Sequence, residues 1–187
     1  MTTSRCFGTG DPLMEAYHDQ EWGRPVHDED ALFERLALEG FQSGLSWAVV
    51  LRKRPAFRAA FAGFDPLVVA GYGDDDVARL LADEGIVRNR LKVEATIHNA
   101  RALVALHRAG GTLDAVLWRH RPEGARPRAA AWADVPATTP ESVALAKELK
   151  AVGFRFVGPT TAYASMQACG VVDDHLVDCR CVRDARS

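Results

Sequence analysis

No apolar run in the 187 residues approaches the length of a membrane-spanning helix. The opening stretch, MTTSRCFGTGDP, has neither an apolar core nor a small-residue cleavage pattern, so it does not read as a secretory signal. Neither sign of charge is in large excess: 23 Lys plus Arg stand against 25 Asp plus Glu, a formal net charge of −2. That excludes a polybasic, charge-driven nucleic-acid binder and leaves room only for a local basic face. Cysteine is scarce, at four residues. With no export signal in view, the expectation is a cytoplasmic protein whose cysteines are thiols or metal ligands rather than disulfides. Repeats, low-complexity tracts and sustained β-alternation are absent as well, which removes a sheet from consideration.

What the chain does carry is helical punctuation, and the expected fold class is all-α. Asp28 is set to cap a helix whose apolar positions Leu32, Phe33, Leu36 and Ala37 share one face. GFQSGLSWAVVLRKRP then reads as a Gly-broken turn into a short helix that Pro55 ends or restarts. Asp65 and Pro66 start another helix as cap and first residue. DDDVARLLADEG predicts a further short helix stopped near Gly85. The longest periodic run passes through Val93, Ile97, Ala100 and Val104 to a pair of glycines. Residues 119–137, rich in Pro, Arg and Ala, read mostly as loop. Thr139 and Pro140 start a helix through Val143, Ala146 and Leu149 to Gly153, and the last helix runs from about Pro159 to Cys169.

The stretch VVDDHLVDCRC, close to the C-terminus, raises a question about metal. His175 and Cys179 would face one side if that segment were helical, and so could grip one ion. Cys6 and His18, near the other end, would complete a Cys₂His₂ set. The spacing is not that of a zinc finger, and Cys181 is a rival ligand. The plain alternative is that Cys6 and Cys179 are incidental thiols and His18 an ordinary histidine. Cys169, on an apolar helix face, reads as packing, and His27, His98, His107 and His120 show no partner in the sequence.

AYHDQEWG at 16–23 clusters Tyr17, His18, Glu21 and Trp22, and LEGFQSGLSW at 38–47 sets Glu39 ahead of Trp47. Aromatic rings beside a lone carboxylate describe a pocket for a flat, nitrogen-rich ring. Against this stands the reading in which both tryptophans are core and Glu39 serves a helix end. GFRFVGPT at 153–160 permits a tight turn at Gly153 and Gly158, with Pro159 opening the next helix. Free amides at such a helix start can hold a phosphate.

AYHDQEWG, LEGFQSGLSW, GIVRNRLKVEATIHNAR and GFRFVGPTTAYASMQACGVVDDH together resemble the DNA-3-methyladenine glycosylase I family, from about Cys6 to Cys181. The resemblance implies a helix-hairpin-helix DNA glycosylase fold: residues 1–187 as a single glycosylase domain of two helical lobes, its termini tied together by a structural Zn²⁺. The implied ligands are Cys6, His18, His175 and Cys179. The implied base pocket is Tyr17, Trp22, Glu39 and Trp47, with Glu39 the residue that selects the base and holds it for departure. A second pocket aromatic of that family corresponds to Met14 here, which departs from the pattern.

The implied DNA-binding hairpin comprises Gly153, Phe154, Val157, Gly158 and Thr160. Arg52, Lys53, Arg54, Arg88, Arg90 and Lys92 are candidates for further backbone contacts. The implied reaction is release of 3-methyladenine from alkylated double-stranded DNA by a flipped-base mechanism, carried out by a monomer with no membrane partner. Asp173 stands where the family often has Asn, either as an added carboxylate or as a polar neighbour of His175. Two rivals remain: a zinc-dependent hydrolase with an open metal position, and a non-catalytic module binding purines or damaged DNA.

Overall fold

The computed structural model describes residues 4–124 and 127–181, so residues 125 and 126 of the expected loop and both extreme ends of the expected domain lie outside the described residues. Among the described residues nine α-helices follow one another: α1 (Pro12–Gln20), α2 (Glu29–Gln42), α3 (Trp47–Ala60), α4 (Pro66–Ala70), α5 (Asp74–Ala82), α6 (Arg90–Arg108), α7 (Leu113–Trp118), α8 (Pro140–Val152) and α9 (Pro159–Ala168). The only β-type pairing among the described residues is a single bridge between Ser4 and Cys179. The all-α expectation therefore holds. Among the described residues, no helix is long and apolar enough to cross a membrane.

Local chemistry sets most of the helix starts. Asp11 and Asp65 accept backbone N–H groups of the first turn and are each followed by proline, which has no amide to waste there. Asp28 caps α2 through Ala31 N at 2.9 Å, and Asn89 caps α6 through Lys92 N at 3.2 Å. Thr139 and Ser142 exchange bonds across the first turn of α8.

Two boundaries differ from expectation. α2 runs through Gly40 to Gln42, so the turn occupies 43–46, with Gly44 at φ 83°. α3 is 14 residues long and carries Pro55 inside it. An interior proline costs ~3 kcal/mol. Val50, Leu51 and Phe57, all buried on α3, each return ~1.5–3 kcal/mol, so packing wins. α1, α7 and two short 3₁₀ turns, at Ala62–Phe64 and Trp132–Asp134, complete the helical content of the described residues and had no counterpart in the sequence reading.

α2 is the central element, packing against α3, α6, α7 and α9. Its Leu32, Phe33, Leu36 and Phe41 are buried with Phe57, Phe61, Ile97, Leu103, Leu149 and Met166. A second, smaller cluster gathers Tyr17, Trp22 and Leu51, with Phe7, Met14 and Trp47 packed against it. After α9, residues 169–181 are not helical; they run in bends and turns. They are held against the N-terminal segment by the bridge, by Arg180 N donating to Ser4 O at 3.0 Å, and by Ser4 Oγ donating to Asp178 O at 2.8 Å.

Candidate active site and thiol–imidazole cluster

Glu39 lies on the last turns of α2, 7% exposed. No described residue hydrogen-bonds its carboxylate. Burial pushes it up to about 8, with Arg35, one helical turn earlier, the charge that opposes the rise. Arg35 is itself anchored, donating to Ala168 O and, at 3.4 Å, to Glu21 O.

Tyr17 is the common neighbour of the group. Its ring centroid is 5.2 Å from that of Trp47, and its hydroxyl is raised well above the ordinary value by burial and then by the nearby Glu39 charge. The indole Nε1 of Trp47 is buried without a partner among the described residues. An unpaired buried donor costs ~1–3 kcal/mol. A buried acid and a buried N–H, both unsatisfied and both against Tyr17, make a site complementary to a polar, flat molecule. Trp22 packs in the same cluster, its ring 4.7 Å from His175 and 6.2 Å from His18. Phe7, 5.1 Å from Trp22, and the half-exposed Trp132, 5.8 Å from Phe7, extend this group of rings.

The thiols and imidazoles converge. One ligand atom each of His18, His175, Cys179 and Cys181 lies within 4.8 Å of the others. Cys6 adjoins this group: its thiol accepts from Leu176 N at 3.3 Å, and burial, with Cys179 close by, pushes it up to about 12. Ring orientation separates the two rival cysteines. His18 Nδ1 meets Asp19 Oδ1 at 2.9 Å, and Cys181 lies on this side, 3.8 Å from Nδ1 and 3.5 Å from the same carboxylate oxygen. His18 Nε2 faces the other way, toward Cys179 Sγ at 3.4 Å and the backbone of Cys6. His175 repeats the pattern: Nδ1 meets Asp173 Oδ1 at 2.7 Å, and Nε2 is buried with no partner among the described residues.

Two imidazoles, each with Nδ1 on a carboxylate and Nε2 turned toward thiols, form a donor set that fits a tetrahedral zinc ion with ordered outer ligands. The expected helical pairing of His175 with Cys179 is not how they meet, since 171–181 is irregular. Gly23 makes room for this arrangement, because a Cβ there would sit 2.8 Å from His175 Cε1. Asp173 is committed to His175 and to Arg128, whose Nη2 lies at 2.7 Å, so it is not a free carboxylate in the acid site. Cys169 is buried beside Glu39 and Arg35, and its thiol is pushed up to about 12 by burial, in keeping with packing.

The 153–160 stretch joins α8 to α9. Gly153 ends α8 in the left-handed conformation at φ 110°, and Gly158 caps α9 with no side-chain bond to the first turn. Phe154 and Val157 are buried in the main core, which leaves only their backbone to meet a partner. Thr160 is exposed. The turn is clamped from α6. His98 Nε2 pairs with Gly153 O at 3.0 Å, while Asn99 accepts from Arg155 N at 2.7 Å and donates to Arg155 O at 3.0 Å. A shallow cleft between this turn, α6 and α2 is lined by Gly40, the neighbour of Glu39, and by Phe156.

Of the six cations considered for DNA contacts, Lys92 is buried and spent on Phe41 O at 2.8 Å and Ser43 O at 2.5 Å. Arg54 is tied to Glu34 and Glu21. Arg52, Arg88 and Arg90 are exposed in ion pairs, and Lys53 donates to Glu84 O and Gly85 O.

Several contributors had escaped sequence reasoning. Arg35 carried a readable signal, as the cation four residues before Glu39 on one helix. Asn99, His98 and Phe7 act across the fold, and no local pattern marks them.

The model of the family described as Methyladenine glycosylase matches residues 7–183. The chain is 47% identical over 174 residues to DNA-3-methyladenine glycosylase 1 of Escherichia coli, covering 91% of this chain and 92% of that protein. It is 42% identical over 188 residues to DNA-3-methyladenine glycosylase of Haemophilus influenzae, covering 96% and 98%. A crystal structure of 3-methyladenine DNA glycosylase I superposes with a TM-score of 0.93 at 46% identity, over 96% of this chain and all of that one. A structure of the Staphylococcus aureus enzyme, solved to explain 3-methyladenine recognition, superposes with a TM-score of 0.91 at 35% identity over 98% and 99% of the two chains. Sequence and fold thus agree along nearly the whole length: the chain belongs to the methyladenine glycosylase family.

Proposed function

We propose that this protein is a monofunctional DNA-3-methyladenine glycosylase of base-excision repair, which flips the damaged nucleotide from alkylated double-stranded DNA and hydrolyses its N-glycosidic bond. The observation that carries the reading is the buried Glu39 carboxyl, unbonded among the described residues, near Tyr17 and Trp47, in a chain that belongs to the methyladenine glycosylase family and superposes on solved members of it. A purine must leave the stack to reach such a site. Trp47 and Tyr17 offer ring faces, and Glu39 accepts from the amino edge of the base.

Methylation at N3 makes the nucleotide cationic. Breaking the glycosidic bond returns its electron pair to the base, which leaves neutral, while water supplies oxygen to C1′ and yields a proton to solvent. Glu39 holds its proton in the free protein below about pH 8 and yields it to solvent when the cationic base enters; the carboxylate so formed, in a low-dielectric setting, favours the cation over a neutral adenine. Asp173 takes no part, since it is occupied by His175 and Arg128.

In this reading the 153–160 turn is the helix-hairpin-helix element. The N–H groups of Thr160 and its successor, uncapped at the start of α9, hold a DNA phosphate. Cys6, His18, His175 and Cys179 hold a structural Zn²⁺ that joins the two ends of the chain, with Cys181 outside the set because it faces the wrong nitrogen of His18. Four protein ligands leave no position for an activated water, which disfavours a zinc hydrolase. The protein acts as a cytoplasmic monomer.

Release of free 3-methyladenine from alkylated DNA separates the enzyme from a non-catalytic binding module. Trp47→Ala is expected to weaken binding of free 3-methyladenine about tenfold, the scale of one base–aromatic contact. Fluorescence or calorimetric titration checks this, and unchanged affinity would remove Trp47 from the pocket.

A further inference from the structure

Phe156 is unusual on two counts. Its φ is 58°, in the left-handed region where a phenylalanine is strained, and its side chain is 46% exposed at the tip of the 153–158 turn. A conformation of this kind costs ~1–3 kcal/mol and persists only where neighbours over-determine it. Here Asn99 fixes both sides of the preceding residue, by the bonds to Arg155 N and Arg155 O. Glycine would relax the strain, and a polar residue would suit the solvent. An aromatic ring held out in this way leaves apolar surface in water in the free protein.

We infer that Phe156 is a substrate-contacting residue: its exposed ring packs on the deoxyribose next to the phosphate held at the start of α9. This rests on the hairpin reading given above and deepens it. Phe156 stands two residues before Gly158, the cap of α9, so ring and helix start meet adjacent parts of one backbone. Its other face lines the cleft shared with Gly40, beside Glu39, which aligns the contact with the base site. Arg155 is exposed alongside, with the charge a phosphate attracts. A sugar contact is apolar and releases no counterions, so it adds affinity without adding salt dependence.

The test compares Phe156→Gly with Gly158→Glu, measuring binding to an alkylated duplex across a salt series, binding of free 3-methyladenine, and melting temperature. Gly158 has φ −93° and open space at its Cβ, so the second variant is compatible with the fold. Phe156→Gly is expected to melt at or above the wild-type temperature, bind the duplex about tenfold more weakly at every salt concentration, and bind the free base normally. Gly158→Glu is expected to weaken duplex binding most at low salt. If Phe156→Gly binds the duplex like wild type while Gly158→Glu does not, the sugar contact is overturned and the hairpin stands. If neither variant weakens binding, both fall.

Discussion

Replacing Glu39 with Gln is expected to make the protein more stable and much less active. Burial raises the folded-state carboxyl to about 8, against the ordinary 4.5 of an unfolded chain. Between those values the native state retains a proton that the unfolded state has lost. Stability therefore falls as pH rises from 4.5, and the penalty is complete above pH 8. Gln carries no such penalty. The variant's advantage in melting temperature should be small near pH 5 and largest at pH 8, with ~3 kcal/mol at pH 7. Excision should fall on the order of 100-fold, the loss associated with removing one well-placed electrostatic contact. Melting curves over that pH range, paired with single-turnover excision, check both halves. A variant that melts below wild type at pH 8 would mean that the carboxylate serves the fold rather than the substrate. The trade is physical: an acid without hydrogen bonds is costly in the free enzyme and useful only when a cation arrives.

Cys179→Ala is expected to have the largest effect on stability. If the proposed Zn²⁺ is held as argued above, removing one of its four ligands should release it and leave His175 Nε2, which has no partner among the described residues, buried and unsatisfied. The two terminal segments would then be joined by the Ser4–Cys179 bridge, a few hydrogen bonds and the ring contact of Trp22 with His175. A loss on the order of 5 kcal/mol, or at least ~10 °C in melting temperature, is expected, because structural zinc binding is folding free energy. Cys181→Ala should keep one zinc per chain and melt close to wild type, since Cys181 faces the Asp19 side of the His18 ring. Metal analysis of the purified variants, together with their melting curves, decides the matter. Full zinc in Cys179→Ala, or its loss in Cys181→Ala, would redraw the ligand set.

The parts of the fold written in local chemistry were legible from the sequence. Asp28, Asp65–Pro66 and Thr139–Pro140 start helices where they were expected to, because capping is a contact between near neighbours. Pro55 misled for the converse reason: local propensity says break, and burial of the surrounding face overrides it. The acid and its rings stand in family motifs that the sequence displays; the structure sets Trp47 5.2 Å from Tyr17 and the Glu39 charge near the Tyr17 hydroxyl. His175 and Cys179 meet without the helix that their spacing suggested, because the N-terminal segment, not a helical repeat, organises the C-terminal one. Lys92 looked like a surface cation and is buried across the end of α2, where the carbonyls of Phe41 and Ser43 need a donor. Asn99 and Phe156 lie within the family motifs, yet nothing local singles them out, since their significance lies in a clamp between segments 56 residues apart and in a backbone angle.

The central claim is that one buried carboxylate framed by Tyr17 and Trp47 selects and releases a cationic purine. Chromatography of the bases freed from methylated DNA, wild type beside Glu39→Gln, tests it most directly. The wild-type protein should release 3-methyladenine and the variant little or none while remaining folded. Equal release by the two proteins, or no 3-methyladenine from either, would contradict the claim.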